Sequence, residues 1–279
     1  MATTWRWRRC AQGSRPVAEG HLAVVGIGPG DPELLCPRAL SALRQVSAVI
    51  GYAPYCDQVE ALGLGIALER WPIGTETERA RGAARRARAG ERIAVVSSGD
   101  AGVYGMASLV LDALYDTGWD GEWNPAVEVV PGITAALAAA ARLGAPLGVD
   151  FACLSLSDLL VPWELIERRL EAAALADLCI ALYNPRSRGR RDGLDRALAV
   201  LRRHREPGTP VAAVHHVCRP GERIELAELA TLDTATVDMT TLVVIGCSMT
   251  RRRGRHLITA RHKAEPSRAC VEAADVASR

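Results

Sequence analysis

Lysine is almost missing from this sequence: Lys263 is the only one, so nearly all the positive charge is arginine, and Phe151 is the only phenylalanine. An arginine excess alongside abundant alanine follows codon composition as readily as ligand chemistry, so it does not by itself argue for nucleic acid. No aromatic residues interleave with Arg85-Arg86, Arg190-Arg191, Arg202-Arg203 or Arg251-Arg252-Arg253, so the base-stacking platform of RNA binders is missing too. There is no C-x-x-C pair among the eight cysteines (10, 36, 56, 153, 179, 218, 247, 270). That spacing argues against a zinc site and against a secreted disulfide framework, and it leaves the expectation of reduced thiols in a cytoplasmic protein with no bound metal. No apolar run is long enough to cross a bilayer. Residues 1–20 carry Trp5, Arg6, Trp7, Arg8 and Arg9 without the hydrophobic stretch of a secretory signal, and they read as a disordered extension.

What the chain does have is glycine-rich turns at the ends of apolar strands. The length of 279 residues fits two α/β domains of unequal size, each with its own core. The central turn is Ser97-Ser98-Gly99-Asp100-Ala101-Gly102-Val103-Tyr104-Gly105, between the apolar run Ile93 to Val96 and a helix from Met106 to Leu114. Its three glycines allow positive φ and close approach of a ligand to the main chain. With no lysine after the glycines and with Asp100 inside the turn, a cationic or neutral ligand fits better than a phosphate. A plain strand-to-helix connection without a ligand has the same composition.

Leu22 to Gly26 is a first strand running into Gly26-Ile27-Gly28-Pro29-Gly30-Asp31, with Asp31 as N-cap and Pro32 at the first position of a helix expected to reach Ser47. This is not a dinucleotide fingerprint. The second strand, Ala48 to Ile50, ends in Gly51-Tyr52-Ala53-Pro54 with no acidic residue, and Asp31 stands where a pyrophosphate would lie. A helix over Tyr55 to Leu62, a strand Ile66 to Leu68, a capping box Thr75-Glu76-Thr77-Glu78 and an Ala/Arg-rich helix to Gly90 follow. The arginines from Arg79 to Arg88 read as its solvated face. Strand Val127 to Val130 enters Pro131-Gly132-Ile133-Thr134-Ala135 and a helix to Leu143. The alternation predicts mostly parallel or mixed sheets with ligands at the carboxyl ends of strands.

Gly144 to Gly148 is the best linker, giving expected domains of 21–144 and 145–260 and a disordered tail over 261–279. The second half reads as strand Phe151–Leu156, helix Pro162–Leu175, strand Leu178–Leu182, helix 192–204, strand Val211–Val217, a turn at Arg219-Pro220-Gly221-Glu222, and strands at Ile224–Glu228, Thr241–Ile245 and Leu257–Thr259.

Four motifs in order resemble the tetrapyrrole methylase family: Gly26-Ile27-Gly28-Pro29-Gly30-Asp31, Ser98-Gly99-Asp100 through Tyr104-Gly105, Pro131-Gly132-Ile133-Thr134-Ala135, and Thr241-Leu242-Val243-Val244-Ile245-Gly246. Three further stretches, Gly51 to Tyr55, Ser155 to Glu164 and Leu182 to Ser187, are similar to the branch that methylates and contracts the corrin precursor ring. Two segments depart from the family pattern, His215-His216-Val217-Cys218 and Thr259-Ala260-Arg261-His262. The resemblance implies two α/β domains with S-adenosyl-L-methionine in the cleft between them, a tetrapyrrole substrate and a homodimer. It places cofactor contacts on Pro29, Gly99, Asp100, Ala101, Val103, Tyr104, Thr134, Ala135, Tyr183, Asn184 and Thr241, and turns the first glycine loop, with Gly28 and Gly30, toward the tetrapyrrole.

A methyl donor that is already a sulfonium needs alignment more than a strong base, which suits a site of backbone and small residues. An acidic macrocycle calls for arginine forks, for which Arg38, Arg186, Arg188 and Arg219 adjoin the motif loops. Ring contraction also moves a proton, and Asp31, Asp100 and Ser157 are the candidates on those loops. Asp158 lies there too, and of His215 and His216, adjacent on a strand, at most one can face a ligand.

Overall fold

The structure, a computed structural model, describes residues 19–186 and 192–261. The expected extension before residue 19, the tail after 261, Arg188, Arg190 and Arg191 lie outside the described residues. The chain divides into two compact units. The first takes 19–25, Arg38–Ser97 and Met106–Val130, and the second takes Gly26–Pro37, Ser98–Gly105 and the described chain from Pro131. Two of the glycine loops thus group with the second unit although their flanking strands belong to the first.

In the first unit, β1 (His21–Gly26), α1 (Pro37–Leu43), β2 (Ala48–Tyr52), α2 (Ala53–Glu60), β3 (Ala67–Trp71), α3 (Glu76–Arg88), β4 (Arg92–Ser97), α4 (Ala107–Tyr115) and β5 (Ala126–Val130) follow in order. The sheet order is β3-β2-β4-β1-β5, and the pairs β1–β5, β2–β3 and β2–β4 run parallel. Leu22 to Val25 and Ile93 to Val96 are buried along their whole length, as strands covered on both faces must be. α3 supplies a stripe of Ala80, Ala83, Ala84 and Ala87 to that core.

Two details of this unit differ from the sequence reading. The solvated face assigned to the arginines of α3 holds for Arg81 and Arg85, but Arg79 is only 3% exposed, with Nη2 3.2 Å from Met106 Sδ. It falls on the alanine stripe. The capping box is not made either: Thr75 adopts φ −113°, ψ 25°, away from the extended cap geometry, and its hydroxyl donates to Pro72 O at 2.8 Å. α4 is instead started by Ser97, whose buried Oγ accepts from Met106 N at 3.0 Å.

The helix expected from Pro32 is broken in two. Asp31 Oδ1 accepts from Glu33 N at 2.9 Å and caps a single 3-10 turn, Pro32–Leu34, after which Leu35 is extended at ψ 123°. Pro37 disfavours helical backbone at the residue before it and opens α1 as a new helix.

The second unit contains α5 (Ala135–Leu143), β6 (Gly144–Ala145), β7 (Phe151–Ser155), α6 (Trp163–Leu175), β8 (Cys179–Tyr183), α7 (Gly193–Leu201), β9 (Pro210–His215), β10 (Arg223–Glu228), β11 (Thr241–Ile245), β12 (Thr250–Arg253) and β13 (His256–Thr259). Its main sheet, β10-β9-β11-β8-β7, is mixed: β7–β8 is parallel, whereas β8–β11, β9–β11 and β9–β10 are antiparallel. Alternate residues divide two cores. Ile180, Leu182, Val211, Ala213, Val243 and Ile245 pack with α6 and α7; Ala181, Ala212, Val214, Leu242 and Val244 pack with α5. This is the period of two expected of a strand buried on both faces. The Gly144 stretch read as a linker pairs with β13, Gly144 opposite Leu257 and Ala145 opposite Ile258.

Candidate functional site

Three turns of the second unit, Gly26–Asp31, Ser98–Gly105 and Pro131–Thr134, meet backbone against backbone. Gly28 N donates to Gly99 O at 3.0 Å and Gly99 N to Gly28 O at 2.7 Å, an isolated antiparallel bridge. A Cβ on Gly132 would stand 2.1 Å from Gly99 O and 2.8 Å from Gly26 O, and one on Gly26 would stand 2.7 Å from Gly132 N. Glycine is required at these two positions because the main chains touch. In the central turn only Gly99 of the three glycines has positive φ, +67°. Gly105 is needed because a Cβ would lie 2.5 Å from Ala101 O, and the other left-handed residue is Tyr104, φ 53°.

Asp100 ties the turns together. Its Oδ1 accepts from Gly102 N at 2.7 Å and its Oδ2 from Gly132 N at 2.9 Å. Beside it, Ala101 is fully buried, so the cofactor contact expected of it finds no exposed surface there. Tyr104 is half exposed, its hydroxyl donating to Cys153 O at 2.9 Å and its ring centroid 5.0 Å from that of Tyr183. The Tyr183 hydroxyl lies 2.7 Å from Thr134 Oγ1 and accepts from Ala136 N at 2.9 Å, so it caps the start of α5. Burial raises the pKa of both tyrosines, which therefore act as neutral hydroxyls. Asn184, φ 52°, donates to Ser155 Oγ at 3.0 Å, which also accepts from Ser157 N at 3.2 Å. Pro29, Gly99, Asp100, Ala101, Val103, Tyr104, Thr134, Ala135, Tyr183 and Asn184 thus fall on one connected set of loops.

Thr241 sits at the end of β11 directly opposite His215 and is buried. Its single hydroxyl proton goes to Asp238 Oδ1 at 2.9 Å, so His215 Nδ1, at 2.9 Å, is the donor to Thr241 Oγ1. Nε2 then accepts from Arg223 Nη2 at 3.2 Å. Burial, then Arg223, lowers the His215 pKa; burial, then Arg92, lowers that of His21 in the first unit. Between the depressed native values and the ordinary 6.5, the unfolded chain binds more protons than the native one. Stability is therefore full above 6.5 and falls as pH drops below it. Thermal melts at about pH 7.5 and about pH 5.5 are expected to show a lower Tm in acid, and His21→Gln with His215→Gln to flatten that slope. A slope that the double substitution leaves unchanged would contradict both shifts.

The arginines separate. Arg38 belongs to the first unit and pairs with Glu128. Arg186 pairs with Asp195 at 2.9 Å. Arg219 gives Nε to Pro29 O at 2.6 Å and Nη2 to Ser98 Oγ. Ser98, Ser155 and Cys153 O were not among the sequence-derived site residues, and His215 entered only as one of an adjacent pair. Their common signal is adjacency to a motif: each flanks a named loop or opposes a named residue in strand register.

The loops offer main-chain groups, hydroxyls and aromatic faces. A ligand carrying an ammonium, a carboxylate, a ribose and a purine edge, with no phosphate, suits that donor set, so the residues present fit S-adenosylmethionine.

A family model for tetrapyrrole (corrin/porphyrin) methylases matches residues 21–233. The chain is 42% identical over 240 residues to a probable cobalt-factor III C(17)-methyltransferase of Salmonella typhimurium, covering 86% of this chain and 98% of that one. It is 42% identical over 238 residues to a precorrin-3B C(17)-methyltransferase of Sinorhizobium, covering 83% and 91%. It spans only 43% of the length of the Priestia megaterium cobalt-factor III methyltransferase, to which it is 41% identical. The crystal structure of the methyltransferase CobJ aligns with a TM-score of 0.81 at 39% identity, over 87% of this chain and 100% of that one. A uroporphyrin-III C-methyltransferase of Thermus thermophilus, complexed with S-adenosyl homocysteine, aligns with a TM-score of 0.60 at 26% identity, over 81% and 92%. With three of its four family motifs on one set of loops and the family match spanning both units, this chain belongs to the tetrapyrrole (corrin/porphyrin) methylases.

Proposed function

We propose that the chain is a cytoplasmic, homodimeric methyltransferase that moves the methyl group of S-adenosylmethionine to C17 of precorrin-3B and contracts the macrocycle to precorrin-4. The observation that carries this reading is the 42% identity to the Sinorhizobium precorrin-3B enzyme over 91% of its length. The three-turn assembly supports it with a site suited to that cofactor.

S-adenosylmethionine supplies a methyl group already activated on a positively charged sulfur. The chain's task is then to hold donor and acceptor in line and keep water out, an alignment worth roughly 7 to 11 kcal/mol at its upper end. In this reading Val103 and the exposed Gly102 corner present main chain to the cofactor, Tyr104 and Tyr183 form its aromatic wall, and Thr134, Ala135 and Asn184 offer polar edges. Thr241, its hydroxyl already engaged, contributes backbone. The tetrapyrrole side is assigned to Gly28 and Gly30, and of the arginines expected to meet its acidic arms Arg186 would have to exchange its Asp195 partner for a substrate carboxylate. For the proton of contraction this reading keeps Asp31, whose Oδ1 also caps the turn at Pro32, and Ser157. Asp100, with each carboxylate oxygen accepting a backbone N–H, positions the turns.

A second reading, the cobalt-containing substrate of the anaerobic route, is favoured by the Salmonella relative at the same identity. Labelled S-adenosylmethionine with metal-free and cobalt-loaded substrate in parallel separates the two. Transfer to the metal-free ring is expected; transfer only to the cobalt ring selects the second reading, and transfer to neither overturns both.

Gly102 gives a milder test of the cofactor surface. It is exposed, and an added Cβ would meet only Asp100 Oδ1, at 3.2 Å. Gly102→Val is expected to melt close to the wild-type temperature and to bind S-adenosylmethionine several-fold more weakly by calorimetry. A large loss of Tm with unchanged affinity in the folded fraction would mark the turn as a tight corner and nothing more.

A further inference from the structure

We propose that Arg219 is a positioning residue that bolts the first glycine turn to the central one and thereby shapes the cofactor end of the site. The ligand readouts of this inference rest on the function proposed above; its structural readout does not. Across 190 residues of sequence, the Arg219 guanidinium donates from Nε to Pro29 O at 2.6 Å and from Nη2 to Ser98 Oγ. Pro29 belongs to the first turn, and Ser98 immediately precedes Gly99 and Asp100. The side chain reaches both by crossing Gly30, where a Cβ would stand 2.5 Å from Arg219 Cγ and 2.8 Å from Nε. Gly30, at φ +138°, is thus an opening through which the arginine passes.

The turn carrying Arg219 is built to aim it. His216 and Cys218 both hold left-handed backbone, φ 47° and 55°, a conformation non-glycine residues adopt only when their surroundings enforce it. The enforcement is visible. Arg219 N donates to His216 O at 2.9 Å and Glu222 N to Arg219 O at 3.0 Å. The Glu222 carboxylate accepts from Cys218 N at 2.6 Å and from Arg142 Nε, on α5, at 3.1 Å. A guanidinium fork can satisfy two acceptors at fixed angles, which a lysine ammonium on a flexible stem does not reproduce. Two of its donors being committed to protein oxygens, Arg219 acts through Pro29 and Ser98 and not as a clamp on a substrate carboxylate.

Amide hydrogen exchange on the full chain, without ligand, tests the bolt directly. Arg219→Ala is expected to speed exchange at least ten-fold in peptides covering both Gly28–Asp31 and Ser98–Gly105. Arg219→Lys should not restore protection. Ser98→Ala, which removes one acceptor and leaves the fold's packing alone, should loosen the central turn only, and it keeps the test open should Arg219→Ala fold poorly. In the ligand arm, Arg219→Ala should weaken S-adenosylmethionine about ten-fold and lower kcat, with partial rescue by dilute guanidinium; a merely structural residue would give no such rescue. Unchanged exchange in both turns overturns the proposal. So does an unchanged cofactor affinity paired with a raised KM for the tetrapyrrole, the signature of a substrate clamp. If the wild-type protein itself binds no S-adenosylmethionine, the proposed function fails while the exchange result still judges Arg219.

Discussion

Gly132→Ala is expected to abolish measurable binding of S-adenosylmethionine and all methyl transfer, from the addition of one methyl group. The new carbon would stand 2.1 Å from Gly99 O and 2.8 Å from both the carbonyl carbon and the oxygen of Gly26. All of these are backbone atoms, so no flexible side chain can yield. Gly132 φ is not in the left-handed range, which makes the penalty steric and separates it from the conformational cost of replacing Gly99. Relief requires the Pro131–Thr134 turn to move away, and that movement breaks the bond from Gly132 N to Asp100 Oδ2 and displaces the start of α5. Overpacking of this kind costs about 3 kcal/mol or more, or roughly 6 to 12 °C in Tm for a chain of this size. Gly82→Ala is the control. It lies inside α3 with nothing within 4 Å of the added carbon, so it should leave binding unchanged and raise stability by up to about 1 kcal/mol. Wild-type affinity and Tm in Gly132→Ala would show that the three turns do not pack as described.

Fold class and the position of most elements were legible because fully buried strands and alanine-striped helices impose period and composition over many residues. β1, β4, β9 and β11 are apolar runs, and each lies within a residue or two of its expected bounds. What escaped the sequence depended on partners far along the chain. β6 is two residues, Gly144 and Ala145, paired with β13, and nothing local marks them as a strand. The sequence left parallel and mixed sheets both open; which strands run against the rest, β10 beside β9 and β11 between β9 and β8, is set by the strand pairings themselves. The burial of Arg79 follows from where its helix face points, which composition in an arginine-rich helix conceals.

The site was legible as a set of turns but not as a set of bonds. Glycine content pointed to close approach without saying to what. Gly26 and Gly132 face other backbones, Gly30 faces Arg219 and Gly102 faces open surface apart from Asp100. Arginine next to a motif loop predicted an anion clamp, yet Arg38 pairs with Glu128 and Arg219 bonds to Pro29 and Ser98. A sequence lists charges; only the fold shows which are already answered.

Asp100→Asn is expected to lower Tm and cofactor affinity together, and the coincidence is the informative part. The carboxylate accepts from Gly102 N on one oxygen and from Gly132 N on the other. An asparagine keeps one acceptor and turns its amide NH2 toward the second backbone N–H whichever way it is flipped. One charge-assisted bond is lost, a donor faces a donor, and the cost is about 1.5 to 3 kcal/mol. The central turn then parts either from its own Gly102 corner or from the Pro131–Thr134 turn, and S-adenosylmethionine should bind at least ten-fold more weakly. If Asp100 were instead the group that takes the proton during ring contraction, the same substitution would leave Tm and cofactor affinity intact and remove turnover alone. Asp100→Glu sharpens the comparison. It keeps two acceptors and the charge, but one further methylene puts both oxygens out of register with the two N–H groups. A positioning carboxylate is not rescued by that change, whereas a proton acceptor with room to adjust recovers much of its activity. Thermal melts, calorimetry with S-adenosylmethionine and single-turnover methyl transfer on the two variants therefore separate a carboxylate that holds the site together from one that does its chemistry, and the geometry of two backbone donors on two oxygens predicts the former.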